Sequence, residues 1–533
     1  MIEIIENRAL LFKTLTPEIV LRTVPKSTVI DQDGTVLVPW THQAQQTLAY
    51  LGLPFISPIS RDYDFAGPYT PAAHQLLICN MVSMHKKGYC FADMGMGKTA
   101  SLIWAVDYLK RLGIVKKILV VAPKVVCRSA WQHEIAMLLP YDTIAVLDGS
   151  AEVRKRRIAR DAQWDIINYD GVGILSTELA TRQYDMVIVD ESTSVKNPDT
   201  ARWKALNEVT KSVERVWLLS ASPTPQGPED AFGQIMLLTP ELITKNKFEW
   251  RNTTMQIGRQ AFKKRNGDTV PPKWEPKPDS AEILKRYFIP ALRLEKRDWV
   301  DLPEVFDIYK EVPLSTQQEA EIKKLHRAAL KVAIDTEEAA KGVVNKVYQI
   351  SSGCLYKTTE EDGREVVQYD MQPKVDAVVE LIEEAKARHL GDFVGGKTVI
   401  YVSHRHVCDY LTTLLSTKYR VAQINGDTKN RSAVLKAFET SDEFEVIVAV
   451  SSAMSHGVTA IAANTIIWFT PASATETFIQ ANERTDRIGQ RQEGRRYYLF
   501  STDVERERHE HLQRGGKAQQ TMLSLYKTFM ESM

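Results

Sequence analysis

Ala92-Asp93-Met94-Gly95-Met96-Gly97-Lys98-Thr99 follows an apolar run at residues 89–92 and leads into an amphipathic stretch at residues 99–112. Strand, glycine-rich loop and helix in that order make a phosphate-binding loop. Gly95 and Gly97 free the backbone to turn its N–H groups onto phosphate oxygens, and the helix N-terminus adds partial positive charge. Lys98 is placed to reach the β and γ phosphates, and the Thr99 hydroxyl to ligate Mg²⁺. The bland alternative is a glycine-rich turn with a surface lysine, which the flanking elements weigh against. The loop predicts a nucleoside triphosphate site without saying what the energy drives.

A phosphate loop needs a second, acidic strand end. Residues 186–189 are an apolar run ending in Asp190-Glu191-Ser192-Thr193. Asp190 is placed to hold the Mg²⁺ water shell and Glu191 to orient and deprotonate the attacking water. Far downstream, Gln480-Ala481-Asn482-Glu483-Arg484-Thr485-Asp486-Arg487-Ile488-Gly489-Gln490 sets two arginines three apart, on one face if the segment is helical. Guanidinium groups aimed at a γ-phosphate stabilise the charge of the transition state. Alone, such a pair is more often a solvated face.

Around these motifs the chain alternates strand and helix patterns twice. Residues 69–240 carry short apolar runs at 117–122, 164–168, 186–189 and 216–220. Residues 373–533 repeat the rhythm at 398–403, 420–424, 445–450, 465–469 and 497–500. Such runs between helices predict parallel sheets covered on both faces. Residues 241–372 break the rhythm with a basic, proline-rich stretch at 262–278, expected as an exposed loop, and a long charged helical pattern at 315–347. Residues 1–68 read as a small α+β module with a proline-punctuated exit. The expected fold class is α/β: two tandem RecA-like parallel-sheet lobes, a helical insertion and linker between them, and an N-terminal accessory module.

The 533 residues carry a net charge of +1, so any nucleic-acid binding must come from local patches. No apolar stretch approaches a membrane span, and no membrane partner is expected. The N-terminus lacks a secretory pattern, and five widely separated cysteines show no zinc or redox spacing. A reducing cytoplasmic setting and a monomer are expected.

The ordered motifs resemble the Swi/Snf-type group of superfamily 2 helicases, which are ATP-driven translocases on double-stranded nucleic acid. Pro71-Ala72-Ala73-His74-Gln75 resembles the glutamine motif, and residues 93–99 resemble motif I. Val121-Ala122-Pro123-Lys124 with Trp131-Gln132-His133-Glu134 resembles motif Ia and its helix, and Ile166-Ile167-Asn168-Tyr169-Asp170 the strand ending in Tyr-Asp. Asp190-Glu191 with Lys196-Asn197 resembles motif II, and Ser220-Ala221-Ser222-Pro223-Thr224-Pro225 motif III. Leu292-Arg293 with Lys296 and Leu302-Pro303, residues 399–403, residues 451–459 and the Arg-Ile-Gly-Gln block at 487–490 complete the set over residues 69–520.

The resemblance implies that Gln75 reads adenine, that Asp93 and Gln480 join the ATP site, and that Ser220, Ser222 and Gly457 couple hydrolysis to movement. It implies nucleic-acid contacts at Lys124, Arg128, Ser451 and Ser452. Two basic clusters lie outside the motifs, residues 154–157 and Lys263-Lys264-Arg265, and the second falls where the family broadens its DNA footprint. Trp250, Trp274 and Trp299 are stacking candidates at a junction, with burial as the alternative for most of them. Thr193 and Asp486 stand where the family commonly has His, and Phe469 where it commonly has Asp. The Thr193 departure is expected to loosen the contact between motifs II and III.

The function implied is an ATP- and Mg²⁺-dependent motor on double-stranded or branched DNA, of bacterial or phage type, close to the annealing-helicase branch. Alternatives are a motor that displaces DNA-bound proteins, a strand-separating DNA or RNA helicase, and a non-catalytic scaffold. The 1–68 module reads either as a branch-recognition device or as a buttress on the first lobe.

Overall fold

A computed structural model describes residues 2–221, 223–244, 246–259, 262–263, 269–270, 272–331, 337–358, 364–389, 395–454, 460–487 and 489–515. Ser222, Lys264, Arg265 and Gly457 lie outside the described residues. The described chain packs as two units. One draws on Met1–Ile257 and Trp274–Trp299, the other on Gly258–Lys273 and Val300–Gln520.

The first unit holds a seven-stranded sheet in the order Ala291–Leu294, Lys87–Ala92, Arg215–Ser220, Met186–Asp190, Ile118–Ala122, Trp164–Asn168, Ile144–Val146. Every pairing is parallel. Side chains alternate between two cores. Cys90, Ala92, Val120, Ile188 and Leu219 enter one; Tyr89, Phe91, Val121, Val189 and Leu218 enter the other. Both faces are covered, which is why these strands read as unbroken apolar runs.

The second unit repeats the plan with six parallel strands, Val305–Glu311, Gly494–Phe500, Ala463–Trp468, Lys397–Val402, Val446–Val450 and Val421–Ile424. Ile400, Val448 and Leu499 enter one core and Tyr401, Ile447 and Trp468 the other. The architecture is α/β with two tandem RecA-like lobes.

The segment expected as insertion and linker contributes a strand to each sheet, Ala291–Leu294 to the first and Val305–Glu311 to the second. Its basic stretch is not a plain loop. Met255–Arg259 pairs with Lys273–Pro276, and Phe262–Lys263 with Thr269–Val270. The charged helical pattern forms helices Thr316–Lys331 and Glu337–Ser351.

The N-terminal residues form a four-stranded antiparallel sheet, Glu3–Ile5, Ala9–Lys13, Thr35–Pro39 and Thr28–Val29, over a core of Phe12, Val20, Val36, Val38 and Leu48. Its exit is part of the first lobe: Ile59 and Tyr63 lie in that lobe's core. The Tyr63 hydroxyl donates to Asp107 Oδ2 at 3.0 Å, Trp104 Nε1 to the Ala66 carbonyl at 2.7 Å, and Ser57 Oγ lies 2.8 Å from Ser83 Oγ. Asp107 and Trp104 sit on Lys98–Arg111, the helix that leaves the phosphate loop.

All five cysteines are buried free thiols. Among the described residues no helix is long and apolar enough to cross a membrane.

Candidate active site

The phosphate loop leaves the Lys87–Ala92 strand and enters the Lys98–Arg111 helix at the C-terminal end of a parallel sheet, where such folds bind ligands. Gly95 (φ +82°) and Gly97 (φ +68°) both take the left-handed conformation. A Cβ on Gly97 would lie 2.1 Å from Gln75 Nε2, so a side chain there would be strained at this φ and would displace the Gln75 amide. Gln75 is oriented by its Oε1, which accepts from the Ala72 N–H at 2.8 Å. Lys98 Nζ donates to the carbonyls of Ala92 at 2.5 Å and Asp93 at 3.2 Å.

Asp93 is engaged on both carboxylate oxygens. Its Oδ1 accepts from Arg293 Nη2 at 2.6 Å and its Oδ2 from the Lys296 N–H at 3.0 Å. Both oxygens are engaged by the edge-strand segment, and the Asp93 N–H donates to the Leu294 carbonyl at 3.1 Å. Asp93 therefore fastens the loop to the sheet edge.

One strand away, Met186–Asp190 delivers the acidic pair. Asp190 Oδ2 accepts from Trp131 Nε1 at 2.8 Å, and Oδ1 from the Glu191 N–H at 3.0 Å. Burial raises the Asp190 carboxyl above its usual range, opposed by the Trp131 hydrogen bond and the nearby Lys98 charge. Glu191 takes φ +53° and ψ +59°, a left-handed conformation that a non-glycine residue adopts at a cost. The Tyr169 hydroxyl shares its one proton between the carbonyls of Asp190, at 2.5 Å, and Glu191, at 3.0 Å. Burial pushes that phenol well above its ordinary pKa and keeps it a donor.

Trp131 is fully buried in a π-helical turn, Cys127–Gln132, so this residue of the motif Ia helix points at the acidic pair and away from solvent.

Motifs II and III are bridged through Gln234, a fully buried amide in the apolar helix Ala231–Leu238. Ser192 Oγ donates to Gln234 Oε1 at 2.7 Å, and Gln234 Nε2 donates to the Pro223 carbonyl at 2.6 Å and the Asp230 carbonyl at 3.0 Å. Lys196 pairs with Asp230 at 3.1 Å, and Asp230 also accepts from the Gln226 N–H at 2.8 Å. Ser192, the neighbour of Thr193, thus joins motif II to the motif III segment through one amide. Ser220 is buried at the end of the strand between Lys87–Ala92 and Met186–Asp190.

In the second unit the helix Thr475–Asn482 stops before the two arginines, so they do not share a helix face. They lie in the turn that follows. The Asn482 side chain accepts from Trp468 Nε1 at 2.9 Å, and Gln490 Nε2 donates to the carbonyls of Ile461 at 3.1 Å and Ala463 at 2.9 Å. These bonds stitch the turn to the Ala463–Trp468 strand. Arg484 is fully buried, and Arg487 Nε donates to the Glu483 carbonyl at 3.0 Å. Burial lowers the Arg487 pKa. Gln480 Nε2 lies 3.4 Å from Glu476 Oε1. Phe469 is buried under Lys374 Nζ, 5.5 Å from its ring centre.

The expected nucleic-acid contacts divide. Lys124 and Arg128 are exposed, but Arg128 is bound to both oxygens of Asp148, at 2.7 Å and 3.1 Å. Ser452 is exposed and Ser451 buried. Lys263 lies in a short strand. The 154–157 cluster is largely structural. Arg154 is buried against Gly149 and Asn168, Arg157 pairs with Asp148, and Lys155 pairs with Glu178 at 3.0 Å. Trp250 is buried, Trp274 lies under Arg251, and Trp299 is 41% exposed.

Oxygen donors suit Mg²⁺: the buried Asp190 carboxylate and the Thr99 hydroxyl that opens the helix are the residues that would hold it. Among the described residues no cluster of three or more His, Cys, Asp or Glu side chains forms a further metal site.

Tyr169, Trp131 and Arg293 stand in sequence motifs that do not disclose these contacts, and Gln234 was not singled out, its signal being a lone amide in the apolar run 231–238.

Residues 71–373 match the SNF2-related domain family, and residues 345–489 the helicase conserved C-terminal domain family. The chain is 26% identical over 419 residues to a Xenopus tropicalis SWI/SNF-related matrix-associated actin-dependent regulator of chromatin subfamily A-like protein 1, across 77% of this chain and 40% of that protein. It is 28% identical over 356 residues to putative protein p41 of Acyrthosiphon pisum secondary endosymbiont phage 1, across 63% of this chain and 72% of that protein. The chain thus spans less than half the length of the animal relative. A Sulfolobus solfataricus SWI2/SNF2 ATPase core in complex with dsDNA aligns at 20% identity and TM-score 0.39, over 82% of this chain and 90% of that one.

Proposed function

This chain belongs to the SNF2-related group of superfamily 2 helicase-like ATPases, and we propose that it is an ATP-driven translocase on double-stranded DNA. The observation that carries this reading is the placement of Lys98, Asp190 and Glu191 after the ends of two strands that flank Arg215–Ser220 in one sheet, with Trp131 and Gln234 linking the acidic pair to motifs Ia and III.

In the proposed cycle, Lys98 exchanges the Ala92 and Asp93 carbonyls for β- and γ-phosphate oxygens, beside the loop N–H groups that Gly95 and Gly97 expose. Gln75 meets adenine, and Gln480 joins the nucleotide site. Asp190 and Thr99 would hold Mg²⁺, which supplies charge neutralisation at the phosphates. Glu191 orients the attacking water and accepts its proton. Arg484 and Arg487 offset the charge spread over the transferred phosphoryl group. Asp93 acts on the nucleotide only indirectly, by fixing the loop through Arg293.

Ser220, Ser222, Gly457 and the Gln234 bridge pass the change in the acidic loop to the DNA-contacting segments. Lys124, Ser451, Ser452, Arg128 and the 263–265 cluster contact phosphate, so binding is salt-dependent and nearly blind to sequence. The finer reading is a motor on forks and other branched DNA.

Displacement of a third strand from a triplex tests translocation without strand separation. Release with ATP and Mg²⁺, abolished by Lys98→Ala, is expected; no release sinks the translocase. The N-terminal module is tested by removing residues 1–52, because a cut at 68 would strip Ile59 and Tyr63 from the lobe core. Loss of fork preference with duplex-stimulated ATPase retained supports branch recognition; equal loss on all DNA makes the module a buttress.

A further inference from the structure

Six described non-glycine residues have positive φ. Glu6, Asn7, Lys26, Asp161 and Gln183 lie in exposed turns and loops, where solvent takes up their backbone groups. Glu191 differs: it follows a fully buried strand and carries the carboxylate assigned as the base.

A left-handed residue at that point needs a compensating contact, because its conformation costs about 1–2 kcal/mol. Successive carbonyls in an extended strand point to opposite sides. One hydroxyl therefore reaches the carbonyls of both Asp190 and Glu191 only if the chain turns between them, and Tyr169 reaches both.

The phenol is itself fixed. Its ring is buried, with the Arg202 guanidinium 5.5 Å from the ring centre, and Arg202 pairs with Asp170 at 2.7 Å. On the other side, Arg154 Nη1 donates to Asn168 Oδ1 at 3.1 Å, and a Cβ on Gly171 would lie 2.2 Å from that same nitrogen. Arg154, from the basic cluster at residues 154–157, thus braces the segment that carries Tyr169.

We propose that Tyr169 is a positioning residue that holds Glu191 in its left-handed turn and so aims its carboxylate at the attacking water. This rests on the assignment of Glu191 as the base. Tyr169→Phe removes one oxygen and keeps the ring.

The test is ATPase kinetics at saturating duplex DNA for Tyr169→Phe, Glu191→Gln and the double variant, with the affinity for a non-hydrolysable ATP analogue and the Tm measured alongside. The expected result is a fall in kcat on the order of a hundredfold for Tyr169→Phe, the scale of a misplaced catalytic group. Analogue affinity should stay within about twofold of the parent. Added to Glu191→Gln, it should cost nothing further in slow single-turnover hydrolysis, because both changes act through one carboxylate. A parental kcat in Tyr169→Phe overturns the proposal, as does a lower Tm with kcat retained, or losses that multiply in the double variant. If Glu191→Gln itself turns over normally, the base assignment falls and takes this proposal with it. If Glu191→Gln is inactive and Tyr169→Phe normal, the positioning role alone falls. Should Tyr169→Phe fail to fold, Arg202→Met loosens the ring from the surface. A several-fold drop in kcat with unchanged analogue affinity supports the clamp, and an unchanged kcat overturns it.

Discussion

The two lobes share a sheet plan but hold their charged groups in different ways. In the first, each anionic group is fixed by donors from elsewhere in the same unit: Asp190 by Trp131, Asp93 by Arg293, and the Glu191 turn by Tyr169. In the second, the candidate cations lie in a turn after a helix, and the amide of Gln490 and the side chain of Asn482 bind that turn to neighbouring chain. Burial raises the Asp190 carboxyl and lowers the Arg487 guanidinium, so each environment disfavours the charge its chemistry needs.

The largest expected effect breaks the cationic side. Arg487→Ala should lower DNA-stimulated kcat on the order of a thousandfold; intact turnover would remove Arg487 from the chemistry. On the acidic side, Glu191→Gln should keep ATP binding and lose hydrolysis by at least about a hundredfold, read by nucleotide affinity beside single-turnover rates. Weakened ATP binding with normal chemistry would reverse that assignment.

Gln234→Leu sharpens the contrast within the first lobe. It leaves Ser192 Oγ and the Pro223 carbonyl without their amide partner, at a stability cost of about 1–3 kcal/mol. It should reduce the DNA stimulation of ATPase more than the DNA-free rate, and equal reduction of both would make the bridge purely structural. Smaller still is the surface comparison. Lys124→Ala should weaken duplex binding and lower the salt slope by about one. Arg128→Ala should do less, because Asp148 already engages its guanidinium. Equal losses in salt-titrated binding would show that Asp148 yields Arg128 to phosphate.

A separate effect, on stability alone, concerns the second lobe in acid. His509 is buried, its Nε2 3.1 Å from the Leu499 carbonyl, and burial pulls its pKa down to about 3. Above about pH 6.5 the folded and unfolded forms are both neutral and its full contribution is present. As pH falls from there toward 3, only the unfolded chain takes the proton, so stability drops by about 1.4 kcal/mol per unit. His509→Gln should flatten the fall in Tm between pH 7 and 5, and an unchanged slope would assign acid lability elsewhere.

What the sequence made legible follows from packing. Strands such as Ile118–Ala122 and Met186–Asp190 are covered on both faces and read as apolar runs. The strands that escaped reading are edges or short. Ala291–Leu294 carries Arg293 at its centre, Val305–Glu311 alternates charge with apolar residues, and Ile144–Val146 has three residues. The phosphate loop was legible because glycine spacing is itself the chemistry. The left-handed Glu191 and its clamp were not, because Tyr169 is 22 residues away and meets it only through the fold. The arginine turn was misread as helix because nothing local shows that Asn482 is committed to Trp468.

The most direct test of the motor assignment is the steady-state ATPase rate against matched single-stranded DNA, duplex DNA, a fork or four-way junction, an R-loop and RNA. The account predicts strong stimulation by duplex, highest on the branched substrates. Stimulation by single strands or RNA alone would contradict it.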